Sequence, residues 1–98
     1  MPIRVHSGDE EIRIEISGRF DFASQRAFRE AYRGLPPDRR YRVDLSGVVY
    51  LDSSALGMLL LLRKHAGDCR EQVVLSGASD TIRRILDIAN FGKLFSLE

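Results

Sequence analysis

The chain has one cysteine, no tryptophan and only three prolines among its 98 residues. A lone cysteine cannot close an internal disulfide, so the fold needs no oxidising compartment. Cys69 follows Gly67-Asp68 in a turn and is read as structurally incidental. Neither sign of charge is in excess: 15 Lys and Arg stand against 14 Asp and Glu, a net charge of +1. That balance gives no general attraction to nucleic acid or to an anionic membrane. No aromatic stacking platform accompanies Arg39, Arg40 and Arg42, which are read as the solvated entrance to a strand.

Long apolar runs are also missing. The longest, Ala55 to Leu62, is far short of the ~20 residues that span a bilayer, and Met-Pro-Ile-Arg-Val reads as the start of a strand and not as a signal peptide. A cytoplasmic protein without its own membrane anchor is expected. Catalytic signatures are absent as well. No Gly-x-Ser-x-Gly elbow activates a serine, and neither His6 nor His65 is evidently paired with one. No His/Cys/Asp spacing suggests a metal site. "LSGASD", residues 75–80, lacks the Gly-Lys-[Ser/Thr] of a P-loop and is read as a helix cap. The chain is therefore expected to be neither an enzyme nor a holder of cofactor or metal.

What is present is patterned. One domain over residues 1–98 is expected, a length that buries roughly two-thirds of the unfolded surface. Ile3 and Val5 suggest a short strand, and Ile12, Ile14 and Ile16 alternate with Arg13 and Glu15 as a half-buried one; the two are expected to pair as a hairpin. Phe28, Ala31, Tyr32 and Leu35 fall at helical spacing and are closed by Gly34 and Pro36-Pro37. Tyr41, Val43 and Leu45 alternate as a central strand. A second helix runs to about Ala66, a strand covers Gln72 to Leu75, and Ser79 caps a third helix that buries Ile82, Ile85, Leu86 and Ala89. Asn90 suits a left-handed helix end, and Lys93 to Phe95 is expected to form a last short strand. No weight is placed on Leu97-Glu98. The order ββαβαβα(β) implies a layered α/β domain with a mixed sheet.

The second helix does not fit the simple pattern. "YLDSSALGMLLLLRK", residues 50–64, sets Asp52, Ser53 and Ser54 before an apolar helix with no clean polar face. Leu56, Leu59 and Leu60 fall on one arc, and Met58, Leu61 and Leu62 on the other. A helix on one sheet face cannot bury a full circle, so part of the second arc is expected to stay exposed as a partner surface. Asp52 or Ser53 serves as N-cap. The same helix start also favours an added negative charge, and spacing alone does not choose between these roles.

"VDLSGVVYLDSSALGMLLLLRK" resembles the core motif of STAS domains, in particular the stand-alone bacterial anti-sigma factor antagonists. The matching residues are Asp44-Leu45-Ser46 and Asp52-Ser53-Ser54-Ala55-Leu56-Gly57, with Ala55 where glycine is commoner. "SGRFDFASQRAFREAY" and "VVLSGASDTIRRILDIANFGKLF" resemble the flanking segments. The resemblance implies a STAS fold: a mixed four- to five-stranded sheet with three to four helices packed on it. It also implies a partner switch. The unphosphorylated antagonist binds an anti-sigma factor that is itself a serine protein kinase, and so frees a sigma factor. Phosphorylation of Ser53 ends that binding, and a PP2C-type phosphatase restores it. Asp21, Asp52, Ser54, Gly57, Met58 and Leu61 are then the expected partner-binding residues. The alternative within the family is a constitutive interaction subunit, for example of a phospholipid transport complex.

Overall fold

In a computed structural model, residues 3–98 are described. The N-terminal strand reading therefore holds from Ile3 onward, with Met1 and Pro2 outside the described residues. The elements are β1 (Ile3–Ser7), β2 (Glu11–Phe20), α1 (Gln25–Arg33), β3 (Arg40–Leu51), α2 (Ser53–His65), β4 (Val73–Ser76), α3 (Asp80–Ile88) and β5 (Ser96–Leu97). Short 3-10 turns precede α1 (Phe22–Ser24) and β4 (Arg70–Gln72) and follow α3 (Phe91–Lys93).

The sheet runs β1-β2-β3-β4-β5, with β1 antiparallel to β2 and every later pair parallel. Each parallel step moves the same way across the sheet, and parallel crossovers are right-handed. Three consecutive right-handed crossovers place α1, α2 and α3 on one face. The alternation agrees: Ile12, Ile14 and Ile16 of β2 and Tyr41, Val43 and Leu45 of β3 are buried against the helices. Between them, Arg13, Glu15, Arg42 and Asp44 form a ladder of charges on the other face. There Arg13 pairs with Asp44 at 3.0 Å and Arg42 with Glu11 at 2.9 Å.

Aromatic rings tie the layers together. Phe20 of β2 meets Phe28 of α1 at 5.1 Å, Phe28 meets Tyr32 at 5.6 Å, and Tyr32 meets His65 of α2 at 5.0 Å. Pairs at this separation add about 0.5–1.5 kcal/mol to their area burial. His65, on the last turn of α2, is half-buried, and its Nε2 lies 3.1 Å from the Leu35 carbonyl. Ser79 caps α3 as expected, accepting from Ile82 N, and Asn90 is left-handed at φ 60°.

One expectation at the C-terminus fails. Lys93 to Phe95 is not a strand, because the residues after Asn90 close a 3-10 turn in which Phe91 and Phe95 stack at 5.0 Å. The strand falls instead at Ser96–Leu97, where Leu97 pairs with Leu75. Glu98 then donates its N–H to Leu75 O at 2.9 Å and accepts from Arg42 at 2.8 Å, so Leu97-Glu98 closes the edge of the sheet.

Candidate functional site

The alternation in β3 breaks after Leu45, and that break builds the site. Ser17 pairs with Gly47, Gly18 with Val48 and Arg19 with Tyr50, so β3 uses one extra residue at each of two register shifts. Each bulge turns the following side chains to the opposite face. The buried residues accordingly fall at Leu45, Val48 and Leu51, three apart instead of two. Val49, the residue left over at the second bulge, is 76% exposed. Gly47 sits at the first, where an added Cβ would lie 2.8 Å from the Ser17 Cβ. The outcome is that β3 ends at Leu51 with its core side down, and Asp52 emerges extended at the start of α2.

Asp52 is the cap. Its Oδ1 accepts from Ala55 N at 3.0 Å, while its Oδ2 accepts from Phe22 N at 3.2 Å. One carboxylate thus satisfies an orphan amide of α2 and fastens the turn ahead of α1 to it. Asp21 performs the same task for that turn, accepting from Ala23 N at 3.1 Å and from Arg19 Nε at 3.2 Å. The Arg19 guanidinium also lies 4.0 Å from the centre of the Tyr50 ring. Ser24, fully buried, closes the turn by accepting from Asp21 N and donating to Arg19 O.

Because Asp52 takes the capping role, Ser53 is left free. It is the first residue of α2, its side chain is exposed, and among the described residues its hydroxyl makes no hydrogen bond. Ser54, one residue on, is half-buried. At 3.6 residues per turn, Ser53, Gly57, Leu60, Leu61 and Lys64 lie along the outer crest of α2. Leu60 is 41% and Leu61 54% exposed. A Cβ on Gly57 would meet nothing within 4 Å, so no packing contact explains a glycine there.

Met58 is a correction. It was expected on the exposed arc with Leu61, but only 4% of its surface is accessible. The inward stripe is Ala55, Met58, Leu59, Leu62 and Ala66, which puts Leu62 in the core and turns Leu60 outward. Apolar residues occupy the whole circle, so leucine positions carry no phase; the fully buried Ala55 and Ala66 mark the inward side. Asp21, Asp52, Ser54 and Gly57 gather with Ser53 at one end of the sheet and helix layer, and Leu61 lies about two turns along the crest. Phe22, 70% exposed and bonded through its amide to Asp52, joins them and was not anticipated. Its neighbour Phe20 is fully buried, and no periodicity in "RFDF" separates the two rings.

Asp44, from the Asp-Leu-Ser segment, does not reach this end. It lies on the open face, where the Ser46 hydroxyl at 2.7 Å and the Ser46 amide at 3.0 Å hold its carboxyl below the usual carboxylate range, with Arg13 helping. Among the described residues no group of His, Cys, Asp and Glu could hold a metal ion. No described helix is long and apolar enough to cross a membrane.

An alternating-then-bulged central strand feeding a capped, partly exposed helix on a mixed sheet defines a STAS architecture. The chain belongs to the STAS-domain family: residues 3–97 match the family described as Mlab, STAS domain. It is 52% identical over 89 residues to a STAS-domain containing protein of Pseudomonas aeruginosa (strain UCBPP-PA14), covering 90% of this chain and 88% of that protein. Among solved structures, an anti-sigma factor antagonist from Mycobacterium paratuberculosis superposes with a TM-score of 0.81 at 23% identity, over 97% of this chain and 82% of that one. The anti-sigma factor antagonist SpoIIAA in its unphosphorylated form gives 0.71 at 16% identity, over 98% and 86%. These likenesses establish the fold.

Proposed function

We propose that this STAS domain is an anti-sigma factor antagonist that works by partner switching. Unphosphorylated, it binds an anti-sigma factor that is also a serine kinase, and so frees a sigma factor in the cytoplasm. Phosphate on Ser53 ends the interaction, and a PP2C-type phosphatase restores it. The observation that carries this reading is the division of labour at the start of α2: Asp52 holds the cap, and the Ser53 hydroxyl is exposed and unengaged.

Magnitudes favour a switch of binding over a switch of folding. A phosphoryl group adds about −1.5 to −2 charges. At an exposed helix N-terminus this gains about 0.3–1 kcal/mol, offset by the carboxylates of Asp52 and Asp21. The free domain should barely respond. Docked against a partner, the same group must be stripped of water, at a cost of several kcal/mol unless it is paired. About 1.4 kcal/mol is already tenfold in affinity.

The test has two arms. Native protein recovered from cells is examined by mass spectrometry for phosphate on Ser53. Ser53→Ala and Ser53→Asp are then used as baits, with the captured proteins identified. The switch predicts phosphate on Ser53, an anti-sigma kinase retained by Ser53→Ala and the same protein lost by Ser53→Asp. A stable complex indifferent to both substitutions, with Ser53 unmodified, would instead establish the constitutive subunit.

A further inference from the structure

Leu60 and Leu61 stand on the crest of α2 beside a cationic helix. α1 and α2 are packed side by side, with Tyr32 against His65. The outward face of α1 carries Arg26, Arg29 and Arg33, all exposed, and α2 adds the exposed Lys64 three to four residues beyond the leucines. The single acidic residue of α1, Glu30, is already paired with Arg26 at 3.3 Å. Among the described residues Arg29, Arg33 and Lys64 meet no carboxylate. Four cations against one anion leave three surplus positive charges on this face, in a chain whose total is only +1. The rest of the molecule is therefore net negative, and the surplus sits on α1 and the end of α2, beside the helix face that carries the exposed leucines.

From this juxtaposition we infer that the α1–α2 face docks an acidic amphipathic helix of the partner protein, with apolar residues on Leu60 and Leu61 and carboxylates toward Arg29, Arg33 and Lys64. The inference deepens the proposed function, since it rests on the crest below Ser53 being the partner surface, and it supplies a mechanism for release. Ser53 lies about 10 Å along α2 from Leu60, at 1.5 Å per residue. That is slightly beyond one Debye length at physiological salt, about 8 Å, so the effect weakens as salt rises. A phosphoryl group there places negative charge at the end of a surface that selects a negative partner. Release is then like-charge repulsion added to desolvation, without any change of fold. Gly57, between Ser53 and Leu60 with open space where a side chain would stand, lets the partner helix approach α2 closely.

The probes are two synthetic amphipathic helices with one leucine stripe, flanked by Glu in one and by Lys in the other. Amide NMR of the full chain is followed as each is added, with vesicles of phosphatidylglycerol as a third probe. The acidic helix is expected to bind, with shifts confined to α1 and α2 and affinity falling as salt rises. Arg29→Glu with Arg33→Glu should weaken it at least tenfold, and Leu60→Ser with Leu61→Ser likewise, with thermal unfolding unchanged. Phosphoserine encoded at position 53 should weaken it further. Equal binding of both helices, binding of neither, shifts on the open sheet face, or binding to the vesicles in place of the acidic helix would each overturn the inference. No kinase enters this experiment. Phospho-Ser53 in cells with no binding of the acidic helix overturns the docking surface alone; acidic-helix binding with Ser53 never phosphorylated removes the switch and keeps the surface.

Discussion

Asp52 and Ser53 are neighbours at a helix start, and either residue type makes a good cap, so their separation into a structural and a free side chain is the point at which the site is most exposed to test. In Asp52→Ala the amide of Ala55 loses its side-chain acceptor and keeps only the Asp52 carbonyl at 3.1 Å, while the amide of Phe22, from a different element, loses its acceptor. Loss of an N-cap costs about 0.5–2 kcal/mol, and a hydrogen bond to a charged group contributes about 1.5–3 kcal/mol. The Phe22 amide lies near the surface and regains water, so the lower end of that second range applies. A total of about 2–3 kcal/mol is expected. For a domain of this size each kcal/mol moves the midpoint by about 4–8 °C, which gives a loss of at least ~8 °C in Tm.

Ser53→Ala removes a hydroxyl that no described group uses, and exposed substitutions of that kind stay within about 0.5 kcal/mol. Alanine is also the better helix former. Urea titrations of the wild type, Asp52→Ala, Asp52→Asn and Ser53→Ala at neutral pH separate the cases. Asp52→Asn should recover only the share due to the cap, since its one side-chain oxygen can accept from Ala55 N while its NH2 cannot accept from Phe22 N. If Ser53→Ala proves as destabilising as Asp52→Ala, the serine is the cap, its hydroxyl is not available, and the assignment of roles collapses.

Three further outcomes follow from the same geometry. Met58→Ala should cost about 2–4 kcal/mol in urea unfolding, as for other buried side chains, whereas Leu61→Ala should stay within about 0.5 kcal/mol; equal costs would return Met58 to the surface. Gly57→Ala should raise stability by up to about 1 kcal/mol, because its Cβ meets nothing, while weakening capture of the partner; a loss of stability would show a packing constraint there. Asp44 has a folded pKa below its ordinary 3.8, so its stabilising contribution is present above that value and lost as pH falls through the folded pKa. Asp44→Asn should therefore flatten the acid limb of the stability curve below about pH 4 and lower stability at neutral pH; an unchanged acid limb would show that the Ser46 contacts do not persist in solution.

Where the sequence could be read, one period dominated. Ile12, Ile14 and Ile16 could only be a half-buried strand, and Phe28 with Tyr32 could only mark one face of a helix. Ser79 and Asn90 were legible because capping and left-handed geometry are local properties of those side chains. The family was legible from Asp44-Leu45-Ser46 and Asp52 to Gly57, and the match over residues 3–97 bears it out. Legibility stopped where geometry depends on what lies across the sheet. Nothing in "SGVVYL" announces two bulges, since they are set by the register of β3 against β2. Nothing in a run of four leucines chooses a phase. The last strand was displaced because Phe91 and Phe95 stack across a 3-10 turn, a contact made after the chain has already left α3.

The two illegible features, the bulged end of β3 and the phase of α2, are the ones that make a surface. The first bulge reverses the alternation and the second restores it, so that Leu51 still points into the core and Asp52 arrives where its carboxylate can bridge α2 and Phe22. The phase of α2, with Ala55 and Ala66 fully buried, then decides which leucines remain outside. Turning the helix by one residue, about 100°, would bury Leu60 and swing Ser53 off the crest. Exposure of Ser53 and of the apolar crest is therefore one structural fact, set by the phase of α2. A partner that reads Leu60 and Leu61 also reads whatever charge Ser53 carries, because the same rotation presents both.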